Sequence, residues 1–192
     1  MTPERLSPFL DCDALCFNFI TGFELSLETF QRVRAATDAL LLMDFHSLTL
    51  GMDESRRRYW RKPPDWKEWI SCADVVQMNE REASLLWDTE ALSDGELTAF
   101  GSHVLKLGPR ALIVTRGASG SDSLTSDGSG GVRVTHADAD PPGRPVDETG
   151  CGDVFLMGFT FEYLRSRDIR AASAFANRAA GANCCLRGIE EI

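Results

Sequence analysis

Four short, almost unbroken apolar runs recur along this chain, at Ala14–Ile20, Leu40–Asp44, Asp74–Met78 and Ala111–Thr115, with helical patterns between and after them. A strand covered on both faces reads as a continuous apolar run, and strands separated by helices pair in parallel. The pattern therefore predicts an α/β fold in which a mostly parallel sheet is sandwiched between helices. Ser26 caps a helix expected to reach about Leu42, with Phe30, Val33 and Ala36 at helical spacing. Asp65 opens a short helix bearing Trp66, Trp69 and Ile70, Asn79 opens one to Trp87, and Ser93 opens one to about Leu107. From Ser47 to Pro64 periodicity is lost. Asp122–Thr125 and Gly131–His136 read as a hairpin across the turn-rich Ser126–Gly131, and a last helix runs from Ile169 to about Leu186. No internal repeat or long linker divides the chain, so residues 1–192 are expected to form one domain.

Ligands of such sheets bind at the carboxyl ends of the strands. Asp44, Asn79, Thr115–Arg116–Gly117 and the loop before Gly150 all fall there. That loop is the most chemically pointed stretch: Val146-Asp-Glu-Thr-Gly-Cys-Gly-Asp-Val-Phe155 runs from a glycine-broken turn straight into an apolar helix. Gly150 and Gly152 let backbone N–H groups converge at a helix N-terminus, where unpaired donors and the helix dipole favour an anion. Asp153 stands just past that cradle, where its carboxylate could take a proton from a nucleophile attacking a bound phosphate. The plainer reading is ordinary capping by Asp147 or Thr149.

Other strings carry the same pair of readings. Asn79 and Glu82 share a helical face beside the ligand edge; an amide and a carboxylate suit hydrated Mg2+, and they also suit a helix cap. In Val114–Gly120 the glycines permit close approach of the main chain to a ligand, or simply a turn from strand to hairpin. Around Asn177 and Gly181 the helix is rich in alanine, which suits close packing.

Net charge is −9, from 29 acidic and 20 basic residues, which disfavours binding to nucleic acid through clustered Lys and Arg. The one basic cluster, Arg56–Lys62, reads as a solvated or partner-facing segment. No apolar run approaches the roughly 18 residues of a membrane helix, and Met1-Thr-Pro-Glu-Arg5 lacks a signal-peptide pattern. A cytoplasmic protein with no membrane partner is expected. The cysteines at 12, 16, 72, 151, 184 and 185 show no Cys-x-x-Cys or zinc spacing, so reduced thiols are expected. His46, His103 and His136 form no triad or metal pattern and are assigned surface or packing roles.

The string around Gly150 resembles the second signature of the ribokinase-like (pfkB) carbohydrate kinases, Asp-Thr-Thr-Gly-Ala-Gly-Asp followed by an apolar helix, with Glu148 and Cys151 in place of the usual Thr and Ala. Asn79–Glu82 resembles the family's Asn-x-x-Glu motif, and Val114–Gly120 its Val-Thr-x-Gly-x-x-Gly segment. Phe175–Asn177 and Ala180–Ala182 resemble its last helix. The resemblance implies a three-layer α/β/α fold and ATP-dependent phosphoryl transfer to a sugar or similar small alcohol. It implies a catalytic turn of Gly150, Cys151 (through its backbone) and Gly152, with Asp153 as base. It implies ATP contacts at Thr115, Gly117, Gly120, Thr149, Asn177 (at the adenine) and Gly181. Mg2+ would lie by Asn79 and Glu82, and a monovalent cation such as K+ near Asp147 and Arg187-Gly188. A non-catalytic nucleotide-binding or interaction module is the alternative. The family's amino-terminal strands, its first glycine signature and its lid have no counterpart here, and Asp44-Phe-His-Ser-Leu48 departs from the family's Asp-Pro-Asn-Leu-Arg-like string. An open sheet edge, and hence a homo-oligomer or a complementing chain, is expected.

Overall fold

The computed structural model describes residues 1–187. A short helix α1 (Pro3–Leu6) leads to strand β1 (Ala14–Asn18), helix α2 (Leu27–Ala36) and strand β2 (Leu40–Asp44). A small antiparallel hairpin, β3 (Leu50–Met52) with β4 (Arg58–Trp60), fills the stretch that lacks periodicity. Then come α3 (Trp66–Ser71), β5 (Val75–Asn79), α4 (Glu80–Trp87), α5 (Asp94–Lys106) and β6 (Ala111–Thr115). The chain closes with β7 (Ser121–Ser126), β8 (Val132–Ala137), α6 (Cys151–Ser166) and α7 (Ile169–Cys184).

The main sheet has the order β1-β2-β5-β6-β7-β8. Its first four strands are parallel; β7 and β8 fold back antiparallel. Strand alternation divides the interior into two layers. Leu41, Met43, Val76, Met78, Leu112 and Val114 face α2 to α5, packing on Phe30, Trp69, Ile70, Leu86 and Phe100. Leu40, Leu42, Val75, Ala111 and Ile113 face α6 and α7, packing on Phe155, Leu156, Phe159 and Ala176. The fold is thus the expected three-layer sandwich. β1 pairs with β2 alone, so its other edge carries no strand among the described residues.

Two local expectations need correction. α2 stops at Ala36, not near Leu42, because Thr37 turns extended and Arg34 closes the end by donating to the Thr37 carbonyl at 2.7 Å. Cysteines are not all reduced thiols: Cys151 and Cys184 are joined in a disulfide, with Cα atoms 6.3 Å apart. The pairing links residues 33 apart in sequence, which spacing rules built on Cys-x-x-Cys cannot see.

Candidate active site

Each parallel strand ends on a polar residue: Asn18, Asp44, Asn79 and Thr115. Asp44 and Gln77 are register partners in β2 and β5. They point toward the α6 layer, just beyond the apolar packing, and meet the first turn of that helix. The Gln77 side chain donates to the Gly152 carbonyl at 2.9 Å and to Asp44 Oδ2 at 3.2 Å. Asn18 donates to Asp153 Oδ1. Gln77 was absent from the sequence-based set, as was Asn18; the available signal was a polar residue near the carboxyl end of an apolar strand.

α6 begins at Gly150, whose φ of 77° is the left-handed conformation that glycine tolerates, and no side chain caps the helix. Cys151 N–H bonds to the Glu148 carbonyl and Val154 N–H to the Gly150 carbonyl, while Gly152 and Asp153 N–H make no hydrogen bond among the described residues. Capping by Asp147 or Thr149 is therefore not how this turn is built. Asp147 Oδ1 instead accepts from Thr149 N–H at 2.9 Å, shaping the approach. The end of α7 holds the same loop: the Cys184 carbonyl accepts from Val146 and Asp147 N–H at 2.7 and 3.1 Å, and Asn183 donates to the Thr149 carbonyl at 3.0 Å. The Cys151–Cys184 disulfide adds a covalent tie. Gly188 of the expected cation loop lies outside the described residues.

Asn79 and Glu82 form a reciprocal capping box at the start of α4. Asn79 Oδ1 accepts from Glu82 N–H, and Glu82 accepts from Asn79 N–H and its side-chain amide at 2.9 and 2.7 Å. Glu82 is 1% exposed and stands 3.6 Å from His46 Nδ1. His46 is about half exposed, a surface residue as expected, and also borders this polar group. The Glu82 carboxylate beside it holds the imidazole above its ordinary pKa, against the opposing effect of burial. Burial pushes Asp44 up to about 7, helped by Glu82 and Asp153, while His46 pulls the other way. A buried carboxyl beside further carboxyl groups makes a place where a cation is electrostatically favoured. No set of three or more His, Cys, Asp or Glu side chains among the described residues forms a metal cage. Hydrated Mg2+, which needs only one or two carboxylates and keeps its waters, fits such a donor set.

A second group lies along β6–β8 and α7. Thr115 is the register partner of Asn79. Gly117 is open, whereas Gly120, at φ 87°, leaves no room for a side chain: an added Cβ would sit 2.1 Å from the Ala137 carbonyl oxygen. Gly181 lies against Pro141, 2.8 Å from an added Cβ. Asn177 is 6% exposed, and its amide donates to Ser121 Oγ at 3.0 Å and the Ala137 carbonyl at 2.8 Å. The structure thus brings Asn79, Glu82 and the Gly150–Asp153 turn to one end of the sheet, and sets Gly120, Asn177 and Gly181 at packing positions around the β7–β8 hairpin. A separate surface hollow lined by Asp11, Asp38, Arg110 and Arg167 lies at the opposite ends of the strands.

The family described as pfkB family carbohydrate kinase matches residues 34–191. The chain belongs to the pfkB family. Among curated pfkB relatives, ribokinase of Bacillus subtilis (strain 168) is 37% identical over 124 residues, covering 65% of this chain and 37% of the relative. Ribokinase from Thermotoga maritima superposes with a TM-score of 0.74 at 18% identity, over 99% of this chain and 57% of that one. A ribokinase of Arabidopsis thaliana, solved with ribose and ATP, gives 0.75 at 20% identity, over 98% and 55%. The chain therefore has the ribokinase fold and spans little more than half the length of these structures.

Proposed function

We propose that this chain transfers the γ-phosphoryl group of ATP to a hydroxyl of a sugar or related small alcohol. The observation that carries this reading is the uncapped start of α6, where Gly152 and Asp153 offer free N–H groups beside the Asp153 carboxylate. In this reading Asp153 accepts the proton of the attacking hydroxyl. The Gly150–Gly152 turn stabilises charge developing on the transferred group, as preorganised donors do. Thr115, Gly117, Gly120, Thr149 and Gly181 line the path of the nucleotide, which Asn177 supports by tying α7 to the β7–β8 hairpin. Bound Mg2+ would supply charge neutralisation on the phosphates, held through Glu82 and Asn79. Dependence on a monovalent cation such as K+ near Asp147, and a second chain along the open edge of β1, belong to the same proposal. Ile20 and Phe23, both 62% exposed just beyond β1, support the latter.

A second reading, a nucleotide-binding or interaction module without turnover, draws on the coverage of only 37% of the Bacillus ribokinase. Calorimetric titration with ATP and Mg2+, followed by a screen of sugars and nucleosides for ADP release, separates the two. Turnover that falls about 10²–10⁴-fold in Asp153→Asn, with ATP binding retained, supports the kinase. Binding without turnover of any acceptor supports the module, and undiminished turnover in Asp153→Asn removes Asp153 as the base.

A further inference from the structure

Gln77 interrupts the strand Val75–Asn79 where its neighbours Val75, Val76 and Met78 are fully buried, and it is itself only 2% exposed. A buried amide costs free energy unless its polar atoms are paired. Here the nitrogen is paired twice, to Gly152 and Asp44, while Oε1 has no partner among the described residues. A methionine or leucine would remove the unpaired Oε1 but would also take the donor from Asp44 and the Gly152 carbonyl. What sets the amide apart is therefore where its two donated bonds go.

The Gly152 carbonyl belongs to the same planar trans peptide as the Asp153 N–H. A donor held on that oxygen fixes the plane of the peptide, and so fixes the direction in which the Asp153 N–H points. Gln77 is held in turn from the sheet. Its backbone carbonyl accepts from Phe45 N–H at 2.9 Å, and its side chain bonds to Asp44, its register partner. Gly152 sits directly over the pair, with Asp44 Oδ2 3.5 Å from where a Cβ would stand.

We propose that Gln77 is a positioning residue: anchored by Asp44, it orients the Gly152–Asp153 peptide so that its N–H faces the transferred phosphoryl group. This rests on the kinase reading above. Gln77 itself touches no substrate. The Gly152 N–H, which belongs to the preceding peptide, is outside its control.

The test is a titration of the full chain with inorganic pyrophosphate, followed through backbone amide resonances, in wild type and Gln77→Met. In wild type the Gly152 and Asp153 amide protons should both move downfield. In Gln77→Met the Asp153 response should fall by at least about half while that of Gly152 persists. The melting temperature should fall only modestly, because losing the unpaired Oε1 partly offsets the donor taken from Asp44 and the Gly152 carbonyl. With an acceptor in hand, kcat should fall about tenfold or more, with the acceptor KM within about twofold. Gln77→Glu, whose carboxylate cannot donate to the Gly152 carbonyl, carries the same expectation if the methionine variant does not fold. Equal amide responses in variant and wild type would overturn this proposal and leave the kinase reading intact. So would parallel loss of stability and of both responses. A wild type whose two amides ignore pyrophosphate would overturn the kinase reading and this proposal with it.

Discussion

Asn18, the last residue of β1, donates through its side-chain amide to Oδ1 of Asp153 in the first turn of α6. Neither residue is held by its own element alone: the strand end supplies the donor and the helix start supplies the carboxylate. In the proposed mechanism, with one oxygen held by Asn18, the other would be the one to meet an incoming hydroxyl. The first expectation follows from that division. Asn18→Ala should lower kcat about tenfold, since a misplaced base loses orientation rather than basicity, while KM for ATP stays within about twofold. Steady-state ADP release measures both. A raised acceptor KM at unchanged kcat would mean that Asn18 binds the acceptor instead of aiming the base.

A second expectation concerns pH. The Asp44 carboxyl, raised by burial first and then by Glu82 and Asp153, titrates near 7 in the folded chain, against an ordinary value of 3.8. Between those values the folded state binds more protons than the unfolded one, so stability falls as pH rises through this window and levels off above it. His46, held above its ordinary 6.5 by Glu82, adds a fall of the same sign beyond that value. Asp44→Asn should flatten the curve between about pH 4 and pH 7 and be more stable than wild type at about pH 8. Thermal melts across that range decide it. A wild type that gains stability from pH 4 to 7 through Asp44 would show that the carboxylate is held ionised.

The fold was legible because burial on both faces of a parallel sheet writes itself as apolar runs, and Leu40–Asp44 and Ala111–Thr115 were delimited to the residue. The ends of α2 were less legible, since Ala39–Leu42 is apolar enough to continue either a helix or a strand. In the site, Gly150–Asp153 and Asn79–Glu82 were legible because both motifs are contiguous in sequence. Asn18, Gln77 and His46 were not. Their partners lie 135, 75 and 36 residues away, and only the sheet register brings them together. Asn177 illustrates the remaining ambiguity, because a polar residue on an alanine-rich helix reads alike whether it faces a ligand or a neighbouring strand.

For Asn177 the structure supplies a discriminating third expectation. Its amide bridges Ser121 Oγ and the Ala137 carbonyl, tying α7 to both strands of the β7–β8 hairpin. Asn177→Ala leaves those acceptors unpaired and should cost about 1–3 kcal/mol of stability. ATP affinity should change by less than about threefold, under 0.7 kcal/mol or so. Urea unfolding and calorimetry read the two quantities separately. Full stability with a large loss of ATP affinity would place the adenine on Asn177 after all.

The disulfide carries the last expectation. Cys151 belongs to the turn that presents the cradle, Cys184 ends α7, and the bond between them closes a loop of 33 residues in sequence. In the chain-entropy account a loop of that length is worth between about 3 and 4 kcal/mol, all of it through restriction of the unfolded chain. For a protein of this size that is roughly 10 °C in melting temperature. Cys184→Ser should therefore melt lower than oxidised wild type by about that amount and should no longer respond to reductant. It should keep the turn proposed to bind the anion, because the Asn183 bond to the Thr149 carbonyl and the Cys184 carbonyl bonds to Val146 and Asp147 N–H do not need the sulfur. Thermal melts with and without dithiothreitol, paired with pyrophosphate titration, measure both halves. If reduction leaves the melt of wild type unchanged, the two sulfurs are not bonded in solution. If it abolishes pyrophosphate binding at a temperature well below the melt, the bond shapes the cradle itself, and the backbone contacts from α7 are not enough to hold it.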